Sequence, residues 1–129
     1  VLDYGCGSGI LAIAAKKLGA AEVVGTDIDP QAIQSSLYNA EQNQVQASFL
    51  HASLYQSKAF DIVVANILSS ALSVLAPALA NSCKSGGKIA LSGILKEQAA
   101  DVSAIYADWF NMDSPQTMDA WVLLTGTKK

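Results

Sequence analysis

Short apolar runs alternate along the chain with longer stretches in which apolar residues recur at helical spacing. Short runs of this kind are typical of buried strands, and the periodic stretches are typical of amphipathic helices. The predicted strands are residues 1–4, 22–27, 47–51, 60–66, 88–92, 110–112 and 120–125. Their alternation with helices predicts βαβ units and a mostly parallel sheet, whose last two strands pair as a hairpin.

Four helices are predicted, each from an apolar stripe. The residues expected to face inward are Leu11, Ala14, Ala15 and Leu18 in the first, Ile33, Leu37 and Ala40 in the second, Leu68, Leu72, Leu75 and Leu79 in the third, and Val102, Ile105, Tyr106 and Trp109 in the fourth. Asp29 and Pro30 form a typical start for the second helix. Pro77 is expected to kink or split the third, which segment 84–87 should end.

The connection between the third and fourth strands is unusually short. It has only about seven residues, whereas a crossover between parallel strands usually takes about a dozen or more. We therefore expect a stretched connection or a single short turn there, without a full helix.

Composition narrows the class of protein. The 129 residues suit one domain with a single core, and 51% hydrophobic content with 15% charged residues suits a well-buried α/β sheet. No apolar run reaches membrane-spanning length, and two cysteines are too few for a disulfide framework, so a reducing cytoplasm is expected. The net charge of −3 argues against broad nucleic-acid binding. Because Val1 already lies in a strand-like run, we expect a fragment of a longer chain.

A glycine-rich loop, D-Y-G-C-G-S-G, follows the first strand and leads into the first helix. Glycines allow a sharp turn and a close approach of the backbone to a ligand. A dinucleotide-binding loop reads G-x-G-x-x-G, but here the glycines stand at 5, 7 and 9, with Ile10 at the third dinucleotide position. This spacing favours a nucleoside-type ligand without a pyrophosphate over NAD.

Three polar features follow strand ends, where ligands bind in open α/β folds. The first strand delivers the glycine loop, the second ends at Asp27, and the fourth ends at Asn66. A carboxylate at Asp27 can accept two hydrogen bonds from a ribose diol. Each feature also has an alternative interpretation. The glycine loop could be a tight turn without a ligand, Asp27 could be a surface carboxylate beside Asp29, and Asn66 could cap the following helix.

These motifs resemble those of the class I S-adenosylmethionine methyltransferases, and the resemblance covers essentially the whole chain. The strings G-S-G-I-L-A-I-A-A, D-I-D-P-Q-A-I, V-V-A-N-I-L and S-G-I-L are similar to the catalytic domain of the bacterial ribosomal protein L-eleven methyltransferase family. The resemblance implies a Rossmann-like three-layer sandwich with a mostly parallel seven-stranded sheet and an antiparallel last strand.

The resemblance also implies the function: S-adenosylmethionine-dependent methyl transfer to lysine and N-terminal amino groups of a ribosomal protein. The cofactor-binding residues that the resemblance implies are Gly5, Asp27 and Asn66, and Asp3 and Gly7 of the same loop are predicted to bind the cofactor with them. Asn66 is also the candidate catalytic residue, because its side-chain oxygen can orient an amine. Many amine methyltransferases carry N-P-P-Y here, and Asn66-Ile67-Leu68 lacks the prolines, so a role toward the cofactor stays open. The family's upstream cofactor-binding Thr and its N-terminal substrate-recognition domain are absent from residues 1–129.

Other functions remain open on the sequence alone. They are an RNA or small-molecule methyltransferase, a cofactor-binding module that is inactive as a fragment, and the disfavoured nicotinamide oxidoreductase. No metal is expected, because the methyl group of a sulfonium is already electrophilic. No general base is evident, since His51 is expected to be structural. Ser53 and Leu54 are candidates to contact an adenine ring. Segment 93–96 is either an ordinary turn from strand to helix or part of the acceptor cleft. Cys6 is not expected to be a nucleophile, Cys83 is expected in the core or at a helix end, and Trp121 is expected to pack, unless it lies where a further domain docks.

Overall fold

Three parallel strands form the sheet of Val1–Gln56, the first of two units into which the chain folds; Ser57–Lys129 is the second. A computed structural model describes all residues, 1–129. The elements of the first unit are β1 (Leu2–Tyr4), α1 (Ile10–Lys17), β2 (Val24–Asp27), α2 (Pro30–Gln42), β3 (Ser48–His51) and a 3-10 turn (Ala52–Leu54). β2 lies between β1 and β3, so each βαβ unit has the predicted parallel pairing.

A small apolar cluster holds α1 and α2 against this sheet. Its buried members are Cys6, Ala12, Ile13, Val23, Ala40 and Phe49. The predicted inner face of α1 is therefore wrong, because Ala12 and Ile13 are buried whereas Leu18 is 88% exposed. α1 has only two turns and ends at Lys17, which leaves Leu18 beyond its last turn and turned outward.

The inner face of α2 also differs in one position from the prediction. Ser36 and Ala40 are buried and Ile33 is partly buried, but Leu37 is exposed. A small residue is required at 36 because the glycine loop packs directly against it. The start of α2 is confirmed, since the Asp29 carboxylate accepts a hydrogen bond from the Gln31 N–H at 2.9 Å.

The short connection after β3 is confirmed as well. A single 3-10 turn at Ala52–Leu54 follows the strand, and no full helix forms.

The second unit contains one parallel and several antiparallel strand pairs. Its elements are β4 (Phe60–Asn66), α3 (Ser69–Asn81), β5 (Cys83–Leu95), α4 (Lys96–Tyr106), β6 (Phe110–Met112), β7 (Gln116–Met118) and β8 (Trp121–Lys128). β5 pairs in parallel with β4, and β8 runs antiparallel to both β5 and β6, as the hairpin prediction required. β7, which pairs with the start of β8, was not predicted, because its three exposed residues carry no apolar alternation.

Two boundaries in this unit correct the sequence prediction. α3 is one helix from Ser69 to Asn81 with Pro77 inside it, so the predicted split is wrong, while the predicted kink stays a prediction. Pro77 lies on the exposed side, where carbonyl groups can tilt toward water. β5 begins at Cys83, so segment 84–87 belongs to the strand rather than to a turn. None of the helices combines the length and apolar character that crossing a bilayer would require.

The core of the second unit is built on Tyr106, which is completely buried in the last turn of α4. Its hydroxyl donates a hydrogen bond of 2.7 Å to the Leu72 carbonyl oxygen in α3, and its ring lies 6.2 Å from that of Phe110. Burial raises the pKa of Tyr106, so the hydroxyl stays protonated as this contact needs. The two helices are therefore joined by a polar contact inside an apolar core.

Replacing Tyr106 by Phe should lower the free energy of unfolding by about 1 kcal/mol, because it removes one buried hydrogen bond and keeps the ring. Urea unfolding of the chain at neutral pH measures the change. Tyr38→Phe, at an exposed tyrosine of α2, is the control and should leave the midpoint unchanged. Equal midpoints for all three proteins would show that the Tyr106 hydroxyl contributes nothing.

Candidate cofactor site

The glycine loop between β1 and α1 is tied to the end of β2. The backbone N–H groups of Gly5 and Cys6 both donate to the carbonyl oxygen of Thr26, at 2.8 Å each. One strand-end carbonyl therefore fixes the point at which the chain turns away from β1. Gly5 thus lies beside the end of β2, and its contact with a cofactor stays a prediction.

Side chains of α2 support the glycine loop through two hydrogen bonds. The Ser36 hydroxyl donates to the Gly7 carbonyl oxygen at 2.9 Å, and the Asn39 side-chain amide donates to the Ser8 carbonyl oxygen at 2.9 Å. A Cβ on Gly9, whose φ is +85°, would lie 2.9 Å from the Ser36 hydroxyl oxygen. Gly9 therefore allows α2 to approach the loop closely. Sequence reasoning missed Ser36, although its helical spacing from Ile33 and Ala40 marks it as inward-facing.

Gly7 presents an open face. A Cβ added there would meet no atom within 4 Å, in contrast to the crowded Gly9. The Gly7 N–H donates to Oδ2 of Asp27 at 3.0 Å. Bare backbone and a carboxylate thus lie side by side at the end of β2, with room for a ligand above the backbone.

Asp27 links the loop to the segment that follows β2. Its Oδ1 accepts from the Asp29 N–H at 3.0 Å, while its Oδ2 holds Gly7. An ionised carboxylate offers about four acceptor positions, so about two remain available to a diol. Asp29 uses its own carboxylate to cap α2, which leaves Asp27 as the carboxylate held against the glycine loop.

Asp3 occupies a different position from the other predicted residues of this loop. It is only 1% exposed, and its Oδ2 accepts a hydrogen bond from the Ala12 N–H at 3.2 Å. Gly9 caps α1 without a side chain, so Asp3 supplies from β1 the acceptor that the helix start lacks. Burial, and then the charge of Asp27, raise the pKa of Asp3 to about 6, although the Ala12 hydrogen bond opposes them.

The apolar side chain of Ile28 projects next to the Asp27 carboxylate. Ile28 is 80% exposed and directly follows Asp27. Its carbonyl oxygen lies 2.8 Å from Nε2 of His51, and Nδ1 of His51 lies 3.1 Å from the Ser53 N–H. Since a carbonyl only accepts and an N–H only donates, this network assigns the His51 proton to Nε2.

His51 therefore has the expected structural role, which is to join the end of β3 to the segment after β2. Ser53 and Leu54 are exposed in the turn that follows. Sequence reasoning missed Ile28, although a large aliphatic residue beside a strand-ending carboxylate was the available signal.

The two cysteines are buried, as was expected for Cys83. Cys6 lies inside the glycine loop with its sulfur 3.5 Å from the Ser36 hydroxyl oxygen, and burial raises the pKa of its thiol. Burial likewise raises the pKa of the Cys83 thiol, which follows the end of α3. Neither residue has the lowered pKa of a nucleophilic cysteine.

The expected packing role of Trp121 is wrong, because its side chain is 55% exposed. It stands opposite Leu95 on one side and Met118 on the other, and both neighbours are exposed too. Trp121 is therefore part of an exposed apolar row rather than of the core.

Asn66 belongs to the second unit. It is exposed, ends β4 and stands opposite Ser92 of β5. The alternative that it caps α3 is wrong, because the N-cap position is Leu68 and no side chain caps that helix. The structure thus brings together Asp3, Gly5, Gly7 and Asp27 in the first unit and places Asn66 at a strand end of the second.

Comparisons with known proteins agree with this arrangement. All of residues 1–129 match the family described as ribosomal protein L11 methyltransferase (PrmA). The chain belongs to this family. The ribosomal protein L11 methyltransferase of Methylobacillus flagellatus is 74% identical over 129 residues, and that of Chromobacterium violaceum is 56% identical. The chain spans 44% and 43% of the length of these two relatives, which is less than half of each.

Solved structures confirm the predicted fold class. A ribosomal protein L11 methylase from Lactobacillus delbrueckii subsp. bulgaricus is 34% identical, with a TM-score of 0.91 that covers 99% of this chain and 69% of that one. The magnesium protoporphyrin IX methyltransferase of Synechocystis, solved with bound SAM, is 22% identical with a TM-score of 0.80 and covers 99% and 69% of the two chains; it shares the fold. The chain therefore has the mostly parallel, Rossmann-like methyltransferase fold with an antiparallel last strand.

The burial of Asp3 predicts a pH dependence of stability. Because its pKa rises from 3.8 to about 6 on folding, the folded state binds a proton more tightly, and stability falls as pH rises through this interval. Asp3→Asn removes the ionisation and should cancel about 2 to 3 kcal/mol of that fall between about pH 4 and about pH 7. Urea unfolding at several pH values measures it. The matched control, exposed Asp108→Asn, should keep the wild-type profile, and an Asp3→Asn profile parallel to wild type would refute the assignment.

Proposed function

We propose that the chain is the cofactor-binding catalytic part of an S-adenosylmethionine-dependent methyltransferase, which methylates lysine and N-terminal amino groups of a ribosomal protein. The observation that carries the proposal is the open face of Gly7 beside the Asp27 carboxylate. Membership of the ribosomal protein L11 methyltransferase family supports it independently.

The residues of the first unit fit this cofactor. The free acceptor positions of Asp27 suit the two hydroxyls of a ribose. Because Gly7 has no side chain, the space above its backbone is open to the ligand. The exposed side chain of Ile28 offers an apolar surface to an adenine ring. Asp3 supports the start of α1, and its direct contact with the cofactor stays a prediction.

The bound cofactor would supply a methyl group on a positively charged sulfur, which a neutral amine can attack directly. A lysine amine has an ordinary pKa of about 10.4, so it must first lose a proton, and an apolar surrounding lowers that pKa. Asn66 offers the amine a side-chain acceptor, and Ile67 and exposed Leu68 follow it as apolar neighbours. We assign to Asn66 the role of orienting the amine, since it does not cap α3.

The polypeptide substrate requires more than these 129 residues. The relatives are more than twice as long, and the family resemblance implies that a further, N-terminal domain holds the ribosomal protein. We infer that this chain contributes the cofactor site and the methyl-transfer step, acting in the cytoplasm. Its net charge of −3 gives no support to broad RNA binding, so a protein acceptor is preferred.

Asp27→Ala should weaken binding of S-adenosylhomocysteine by at least about 100-fold, because two charge-assisted hydrogen bonds to the ribose are lost. Asp27→Asn, which keeps one acceptor oxygen, should have an intermediate effect. Isothermal titration calorimetry on the chain measures both. Asp29→Ala is the control, since it removes a carboxylate that caps α2 and should leave affinity within about threefold. Unchanged affinity in Asp27→Ala would mean that the wrong carboxylate was chosen, and tight NAD binding would favour an oxidoreductase.

Methyl transfer can be measured in a full-length protein. In the Methylobacillus flagellatus relative, the matching region is replaced by residues 1–129 of this chain, and radiolabelled S-adenosylmethionine is supplied with purified ribosomal protein L11 or with ribosomal RNA. We expect label in the protein and none in the RNA. Asn66→Ala should lower kcat by at least about tenfold while cofactor affinity is kept. Label in RNA alone would replace the proposed substrate by the alternative one.

A further inference from the structure

The strand beside Asn66 contains an irregularity. Leu91 of β5 stands opposite Leu124 of β8, but Ile94 stands opposite Val122, so the register shifts by one residue between these pairs. Ser92 and Gly93 therefore share the single position opposite Leu123. This is a β-bulge, a feature that occurs preferentially beside active sites and re-aims the groups around it.

Gly93 lies in this bulge and touches the end of β4. Its φ of +82° is a conformation that side chains disfavour. A Cβ at Gly93 would lie 2.8 Å from the Ile67 carbonyl oxygen and 3.0 Å from Oδ1 of Asn66. The backbone of β5 thus forms one wall against the Asn66 amide and the peptide group that follows it.

We propose that Gly93 is a positioning residue for Asn66: the bulge brings bare backbone against the Asn66 side chain and the Ile67 carbonyl, and so fixes the direction of the Asn66 amide. The inference rests on the proposed function, because it gives a reason for the bulge only if the orientation of Asn66 matters. Gly93 does not contact the reacting atoms itself.

The size of the expected effect follows from the contact distances. Ordinary van der Waals contact begins at 3.4 Å, so an alanine at 93 must push the Ile67 carbonyl by about 0.6 Å and the Asn66 oxygen by about 0.4 Å. Ile67 contributes a backbone atom, which cannot turn away as the end of a long side chain can. A misplacement of ~1 Å at a reacting group can cost ~100-fold in rate, so we expect a loss of about 10- to 50-fold.

β5 provides a matched control in Gly86. Its φ of +80° is nearly the same as that of Gly93, but a Cβ at Gly86 would meet nothing within 4 Å. Gly86→Ala therefore introduces the same backbone strain in the same strand without the clash. The difference between Gly93→Ala and Gly86→Ala isolates the contact with Asn66 and Ile67.

The test uses the full-length chimera with ribosomal protein L11 as substrate. Gly93→Ala should lower kcat about 10- to 50-fold while the Kd for S-adenosylhomocysteine stays within about threefold, and Gly86→Ala should change neither by more than about threefold. If the wild-type chimera is active and Gly93→Ala and Gly86→Ala have equal kcat values, the inference is overturned and the proposed function stays intact. An inactive wild-type chimera would instead count against the proposed function.

A second measurement decides the inference without activity. In the chimera labelled with ¹⁵N-asparagine, the side-chain amide signal of Asn66, assigned through its loss in Asn66→Asp, should shift in Gly93→Ala and stay in place in Gly86→Ala. An unmoved Asn66 signal in Gly93→Ala would overturn the positioning role, whatever the activity shows.

Discussion

The end of β2 is the constraint on which the candidate cofactor site depends. The Thr26 carbonyl holds the N–H groups of Gly5 and Cys6, and the Asp27 carboxylate holds that of Gly7. Three donors of the glycine loop are thus satisfied by two consecutive residues. A loop that is paired in this way needs no ligand to keep its shape, so little entropy is lost when a ligand binds.

The same arrangement explains why the loop needs support from α2. Pairing toward β2 uses N–H groups, and the loop's carbonyls then require donors from elsewhere. Ser36 and Asn39 provide them, for Gly7 and Ser8 respectively. Ser36 must also be small, because Gly9 approaches it closely, and this requirement turns Leu37 outward although its hydrophobicity predicted the opposite.

Sequence patterns predicted those parts of the structure that local chemistry determines. The parallel strands, the Asp29 cap, the glycine loop and the strand-ending positions of Asp27 and Asn66 all follow from apolar runs and from residues that favour turns or caps. The errors lie where tertiary contacts decide. Neighbours that are distant in sequence determine three features: the buried faces of α1 and α2, the continuity of α3 across Pro77, and the formation of β7.

The same reasoning explains why Ile28 and its contact with His51 were missed, although His51 itself was expected to be structural. Ile28 and His51 are separated in sequence, and only the parallel pairing of β2 with β3 brings the His51 ring to the Ile28 carbonyl. The sequence prediction ended this strand at residue 92 and considered Gly93 only as part of the segment that follows, whereas Gly93 lies within β5. Its contact with Asn66 depends on a register shift, and no local pattern signals such a shift.

The electrostatics of the first unit add a preference that the hydrogen bonds alone do not supply. Burial is the main cause that raises the pKa of Cys6, and the charges of Asp3 and Asp27 each add to it, so both carboxylates act at the glycine loop. Because the pKa of Asp3 is about 6, most of that carboxyl is ionised at neutral pH, and the loop then lies in the field of two negative charges. A field of this sign attracts a cationic ligand more strongly than a neutral one. In the proposed function, such a field would favour S-adenosylmethionine, whose sulfonium is positive, over its demethylated product, which lacks that charge.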